Sequence, residues 1–345
     1  MLVGFLFRQA TVDKWILQAD GTSSLHILAS LFKDGILTDV PKLSVSQSQI
    51  ISAPLGRVYD EVRDFKSWPE WSPWLVAEPE CPLTYSPSGH AYSWDGEIIG
   101  SGSMTVSNDE KNKWIDYDLE FLKPWKSKAA VRMSFLEKAG GVEVTWSMDS
   151  SLPFFLFWMK GMMVGLIGMD YERGLKMLKD HVETGEVPSS LEFVGEKVIT
   201  GFSYLGKQRT CTIAEMPKTM EADFGEVEEL LKDPQLIGSG HAFGIYHKWD
   251  LKNQMMCYTI GVPVTVLPKK APKAFVKGVL PSLSVYAIRH EGPYRHLGNA
   301  WASGIFHGRA KKFHQAKRLH PFEFYEKTPT EGHDPVTLVC FPVKG

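Results

Sequence analysis

The stretch HAFGIYHKWD begins at His241 and HPFEFYEKTP begins at His320, so His-x-Phe-x-x-Tyr-x-Lys occurs twice, 79 positions apart. The second copy carries Glu323 two residues before Tyr325, a spacing that puts carboxyl and phenol on one face of a strand, with Phe322, Phe324 and Glu326 on the other. Two kinds of chemistry suit such a pair. A buried carboxyl gains basicity and serves as a general base, and a carboxylate framed by aromatic rings pairs with a cation. The plain alternative is a solvated carboxylate at a strand end. Tyr246 is the counterpart of Tyr325, and Gly244 stands where the first copy has no carboxyl. Tyr294 follows the turn residues Gly292-Pro293 and is the candidate partner of Glu323 in a hydrolytic reaction. Trp301, in a helical stretch, is the candidate lid of an aromatic box. Each of these rings also has a reading as ordinary core.

Upstream, Trp71, Trp74 and Trp94 are candidate lining for a lipophilic cavity, and the sticky run Phe154, Phe155, Phe157, Trp158 with its following methionines suits variable contents. Core packing is again the alternative. His290, His296, His307 and His314 lack the close spacing of a zinc motif, so no metal site is expected. There is no GxSxG elbow and no phosphate-binding loop. GSGSM (100–104) leads into a strand and is read as a bend or bulge. No cofactor is expected.

The whole chain limits the function classes. A formal net charge of −2 over 345 residues gives no electrostatic footprint for nucleic acid, and no basic recognition helix is present. Four scattered cysteines without CxxC spacing are read as reduced thiols of a cytoplasmic protein. MLVGFLF is too short for a signal-peptide core, and Lys160 interrupts the longest apolar run, so no transmembrane span is expected. The 11 Trp, 19 Phe and 11 Tyr demand large buried apolar surfaces.

The elements that must position these residues fall into two groups. Residues 1–44 form an uncertain extension with amphipathic stretches. From Val45 come a strand (SVSQSQIIS), a helix opened by Pro54 (PLGRVYDEVRDF), a proline-broken SWPEWSPW, then five strands ending in a hairpin around AGG, and a long helix to about Glu183. TGEVPSS opens a linker, 186–200. Beyond it, strand, helix and two strands occur twice. The first set is QRTCTIAEM, DFGEVEELLKD, GHAFGIYHK and QMMCYTIGVPV. The second is SVYAIRHEG, YRHLGNAWASGIFHGRAKK, FEFYEK and VTLVCFPV. Pro263 and Pro342 keep the same 79-residue offset as the tyrosines. A duplicated unit predicts a pseudo-twofold sheet, helices on one side, and a cleft on the axis.

On IISAPLGRVYDEVRDFKSWPEWSPW, Gly89 to Trp94, GSGSM and DYERGLKMLK, residues 45–185 resemble the START-like (SRPBCC, polyketide-cyclase-type) superfamily. That implies a helix-grip domain, an antiparallel sheet around a long C-terminal helix over an apolar cavity. On HEGPY (290–294), Trp301, FEFYEKTP and the closing FPV, residues 201–345 resemble the GyrI-like, or transcription-activator effector-binding, family. That resemblance implies a duplicated α+β domain binding small aromatic or cationic molecules, with a few members hydrolysing strained electrophiles. Drug-binding relatives often carry a buried carboxylate four residues before the closing proline; here that position is Leu338, and Thr259 in the first copy, so cation recognition by that route is not expected. The START-like segment occupies the place of the DNA-binding domain of such regulators, so direct DNA binding is not expected either.

The fold expectation is therefore α+β, a START-like domain followed by a pseudo-twofold GyrI-like domain. The functional expectation is sensing or sequestration of a small hydrophobic or aromatic molecule, with Tyr246, Tyr294, Trp301, Glu323, Tyr325, Trp71, Trp74 and Trp94 as ligand-binding residues. A hydrolase using Glu323 and Tyr294, and a module that regulates a protein partner, are the rival readings.

Overall fold

The computed structural model describes residues 42–123, 126–151, 159–230, 240–251, 253–271, 273–329 and 333–344. The amphipathic reading of the first 41 residues and the sticky run at Phe154–Trp158 lie outside them. The chain divides into two compact units, Met1–Val187 and Pro188–Gly345.

The first unit is built on seven antiparallel strands: β1 (Lys42–Ile51), β2 (Leu83–Tyr85), β3 (Ala91–Asp95), β4 (Ser101–Glu110), β5 (Trp114–Lys123), β6 (Ser127–Lys138) and β7 (Gly141–Ser151). Their order across the sheet is β1-β7-β6-β5-β4-β3-β2. Alternation does the sorting. Val142, Val144, Trp146 and Met148 are buried along one face of β7, and Leu43 and Val45 of β1 join them. Helix α1 (Leu55–Arg63) follows Pro54 and buries Val58, Tyr59 and Val62. The two prolines of SWPEWSPW do not abolish helix altogether: Trp68–Trp71 forms a single turn, α2, with its proline in the first turn, where no N–H is needed. GSGSM begins β4 with a register shift between Ser101 and Gly102, the bulge its glycines suggest. The long helix α3 (Lys160–Thr184) ends on Gly185, whose φ of 93° is the left-handed cap conformation.

The second unit contains one eight-stranded antiparallel sheet: β8 (Ser190–Ile199), β9 (Phe202–Thr212), β10 (Phe243–Asp250), β11 (Met255–Val264), β12 (Val276–Leu280), β13 (Leu283–Glu291), β14 (Phe322–Lys327) and β15 (Val336–Pro342). The order is β12-β9-β11-β10-β14-β15-β13-β8. Residues 186–200 are thus not a linker, since β8 pairs with β13 over Ser190–Ile199 and belongs to the sheet. Its edge position and distant partner leave only a half-exposed pattern in the sequence, which reads as loop. β12, at the opposite edge, reads as loop for the same reason.

Helices α4 (Met216–Leu230) and α5 (Gly298–Arg309) cover one face. The other face closes on itself. Phe202 of β9 and Phe324 of β14 meet at 5.9 Å between ring centroids although two strands separate them. In a flat sheet those strands would lie about 14 Å apart, so the sheet curls tightly toward that side. Phe243, Phe322, Val285 and Leu338 fill the curl.

Candidate functional site

β10 and β14 lie side by side at the centre of the second sheet, in the register Phe243↔Phe324, Gly244↔Glu323, Ile245↔Phe322. Each pair maps onto another, or onto itself, when the halves are exchanged at the 79-residue offset, so the pseudo-twofold axis passes through the Gly244–Glu323 pair. The surroundings obey the same symmetry. Tyr246 N–H donates to the Pro321 carbonyl at 3.0 Å and Tyr325 N–H to that of Ala242 at 2.9 Å. The register slips between Tyr246 and Lys248 in one half and between Tyr325 and Lys327 in the other. Tyr246 and Tyr325 are therefore true equivalents.

On the axis the symmetry is broken once. Side chains of a directly opposed pair stand on the same face, close together. A methyl on Gly244 would lie 3.0 Å from Tyr325 Oη and 3.2 Å from Ile260 Cδ1. Glycine here leaves the space above the axis to Glu323 and the two phenols.

Glu323 is 1% exposed, so the solvated alternative is excluded. Tyr246 and Tyr325 hydroxyls both donate to Oε2, at 2.7 and 2.8 Å, and Trp301 Nε1–H donates to Oε1. Among the described residues no Lys, Arg or His stands within ion-pair distance of it. Burial raises its pKa, and the three donated hydrogen bonds only partly oppose the shift. Burial, followed by the charge of Glu323, drives the phenols of Tyr246 and Tyr325 well above their usual range.

Aromatic walls flank this floor. On one side Trp301 stands edge-on to Tyr246 at 4.8 Å, and Trp249 stacks on Tyr246 at 5.8 Å and reaches Trp301 at 5.9 Å. On the other, Phe224 of α4 stands edge-on to Tyr325 at 4.8 Å, and Tyr294 approaches Tyr325 at 6.2 Å. Trp249 is 39% exposed and Tyr294 42%, so the walls rise to the surface. Partial burial and then the Glu323 charge push the Tyr294 phenol up to about 12. Simple alternation along β10 turns Trp249 away from Tyr246, so its place in the wall is not legible in the sequence; the bulge at His247 turns it back. Leu338 is buried in the opposite, curled face, as its position suggests, and the carboxylate comes instead from the next strand.

The first unit treats its candidates differently. Trp71 is fully buried against Trp68 and Trp146, at 4.6 and 5.9 Å. Trp74 meets Trp146 and Tyr171 edge-on, its Nε1–H directed at Asp170 Oδ2 at 3.3 Å. Trp94 packs on Tyr92 and Phe121. Trp71 and Trp94 sit in packed aromatic core, and Trp94 makes no ring contact with the other two. Among the described residues no three His, Cys, Asp or Glu side chains converge in a metal-binding group, and no helix is long and apolar enough to cross a membrane.

Residues 42–183 match the family of polyketide cyclase/dehydrase and lipid transport. No curated protein matches the chain. Among solved structures, the C-terminal domain of EcmrR is 18% identical, with 45% of this chain and 98% of that one covered at a TM-score of 0.38. SAV2435, solved bound to tetraphenylphosphonium, is 14% identical, with 44% and 93% covered at 0.36. Protein MLL2253 from Mesorhizobium loti is 15% identical, with 40% and 94% covered at 0.32. Residues 42–183 thus carry the match to the polyketide cyclase and lipid-transport family, and the second unit is a duplicated α+β domain built on one antiparallel sheet.

Proposed function

We propose that the second unit binds a small aromatic cation over Glu323, between the Trp249–Trp301 and Tyr294–Tyr325 walls. The observation that carries this reading is a buried carboxyl with no cationic partner among the described residues. Such a group is costly unless something compensates its charge. Three neutral donors lessen that cost and hold the oxygens in place, yet none supplies positive charge. An incoming cation supplies it, and each ring face it covers adds about 0.5 to 2 kcal/mol. With Oε2 already accepting twice and Oε1 once, recognition runs through charge and ring faces more than through new hydrogen bonds. Sensing or sequestration follows as the role.

Phenyltrimethylammonium and tert-butylbenzene share a shape and differ by one charge. Calorimetric titration of the intact chain is expected to show tighter binding of the cation by at least about tenfold. Equal affinities contradict the reading.

One observation favours a second reading. A carboxyl raised by burial, with two phenols on a single oxygen, also suits general-base hydrolysis of an electrophile. Turnover across a panel of strained electrophiles, falling about 10²- to 10⁴-fold in Glu323→Gln, would establish it; no turnover in the parent protein disposes of it.

A further inference from the structure

The two halves of the second unit part company at one more place, one strand over from Glu323. Thr337 of β15 lies opposite Tyr325 on one side and His290 of β13 on the other, all on the helix-covered face. In the first half the equivalent pair is Tyr258 and Arg209, likewise opposed in register. There the helix supplies an acceptor. Asp223 of α4 takes the Tyr258 hydroxyl at 2.8 Å and Arg209 Nε at 2.7 Å, and the group is fully satisfied. Helix α5, GNAWASGIFHGR, contains no acid, and both strand residues are shorter, Thr for Tyr and His for Arg.

The consequence shows in the hydrogen bonding. Thr337 and His290 are both fully buried, and among the described residues neither Thr337 Oγ1 nor His290 Nδ1 has a partner. The buried unpaired side-chain atoms described in this unit, Ser303 Oγ being the third, all belong to the second half. Leaving two such atoms bare in adjacent positions is costly. His290 Nε2 is engaged with Ser189 Oγ at 3.1 Å. Burial, with nearby His296, pushes the imidazole down to about 4, so the ring is neutral and Nδ1 is either donor or acceptor.

We infer that Thr337 and His290, one and two strands over from Glu323, form a buried polar subsite that takes one neutral oxygen, which a group able both to donate and to accept a hydrogen bond fits best. A hydroxyl or a water meets that demand with either imidazole tautomer. A carboxylate only accepts, and it would face the charge of Glu323. The ligand class is thus a hydroxyl-bearing molecule, with water in the same position when the hydroxyl is lacking.

Thermal unfolding of the intact chain tests the subsite without reference to any cation. Thr337→Val keeps the shape and removes the hydroxyl. With an oxygen bound, the melting temperature of the second unit falls by about 2 to 4 °C. A double-mutant cycle with His290→Leu is then non-additive, because the second change removes a bond already lost. An unchanged or raised melting temperature in Thr337→Val, or an additive cycle, overturns the subsite. The source of the oxygen is read separately, with the cation site as premise. A preference for 3-hydroxyphenyltrimethylammonium over phenyltrimethylammonium that vanishes in Thr337→Val assigns it to the ligand; equal affinities, with the destabilisation present, assign it to water. Failure of both cations to bind refutes the cation reading and leaves the thermal result standing.

Discussion

At the residue scale the second unit turns on one carboxyl. Glu323 stands out in the sequence by its place in a repeated motif, but its burial depends on Gly244, a neighbour across the sheet that is distant in sequence. The glycine was visible only as an asymmetry between copies. Its reason, space above the axis, is a property of the paired strands. A raised carboxyl pKa carries two consequences of opposite sign. The native state holds the Glu323 proton more tightly than the unfolded chain, so this group favours folding below its unfolded pKa, and that contribution is lost as pH rises through the higher folded value. Cation affinity runs the other way, because only the ionised form compensates the ligand. Titrations of phenyltrimethylammonium from neutral pH downward are expected to weaken as Glu323 protonates, while tert-butylbenzene binding stays level. A cation affinity independent of pH down to the usual carboxylate range contradicts the assignment. Trp249 shows the limit of reading residues alone. A single bulge reverses its face, and no feature of IYHKW announces a bulge.

At the element scale, the duplication was legible because spacing and residue type survive together in both copies, down to Pro263 and Pro342. Strands β8 and β12 were not, since each lies at a sheet edge and its identity comes from a distant partner. The helices are held by close approach. A methyl on Gly304 of α5 would fall 2.0 Å from Phe341 Cε2, and that ring is wedged between Trp301 and Phe313. Gly304→Ala should gain a little helix propensity and lose more through overpacking, a net cost of about 1 to 2 kcal/mol. Lifting α5 also draws Trp301 Nε1 from Glu323, so cation affinity should fall alongside stability. Denaturant unfolding and titration of this variant test both effects. A variant as stable as the parent would show that helix and sheet are not in firm contact there.

At the scale of the whole molecule, two units with separate cores make two cooperative transitions the natural expectation. The boundary matters. A fragment of residues 188–345 keeps β8 on β13, whereas 201–345 strips that strand and bares the β13 edge. The longer fragment is expected to stay soluble and bind phenyltrimethylammonium, and the shorter to aggregate or bind weakly. Equal behaviour would make β8 dispensable. In the intact chain, the most direct test of a carboxylate held for a cation is Glu323→Gln, measured for affinity and stability together. Gln keeps the shape, leaves one oxygen to accept from Trp301, turns the other acceptor into an NH2 that donates to the phenol oxygens, and removes the buried charge. The expected result is at least a tenfold loss of phenyltrimethylammonium affinity, with tert-butylbenzene unaffected and the melting temperature at neutral pH unchanged or higher. A variant that binds the cation as tightly as the parent, or loses both ligands equally, would contradict the role given to Glu323.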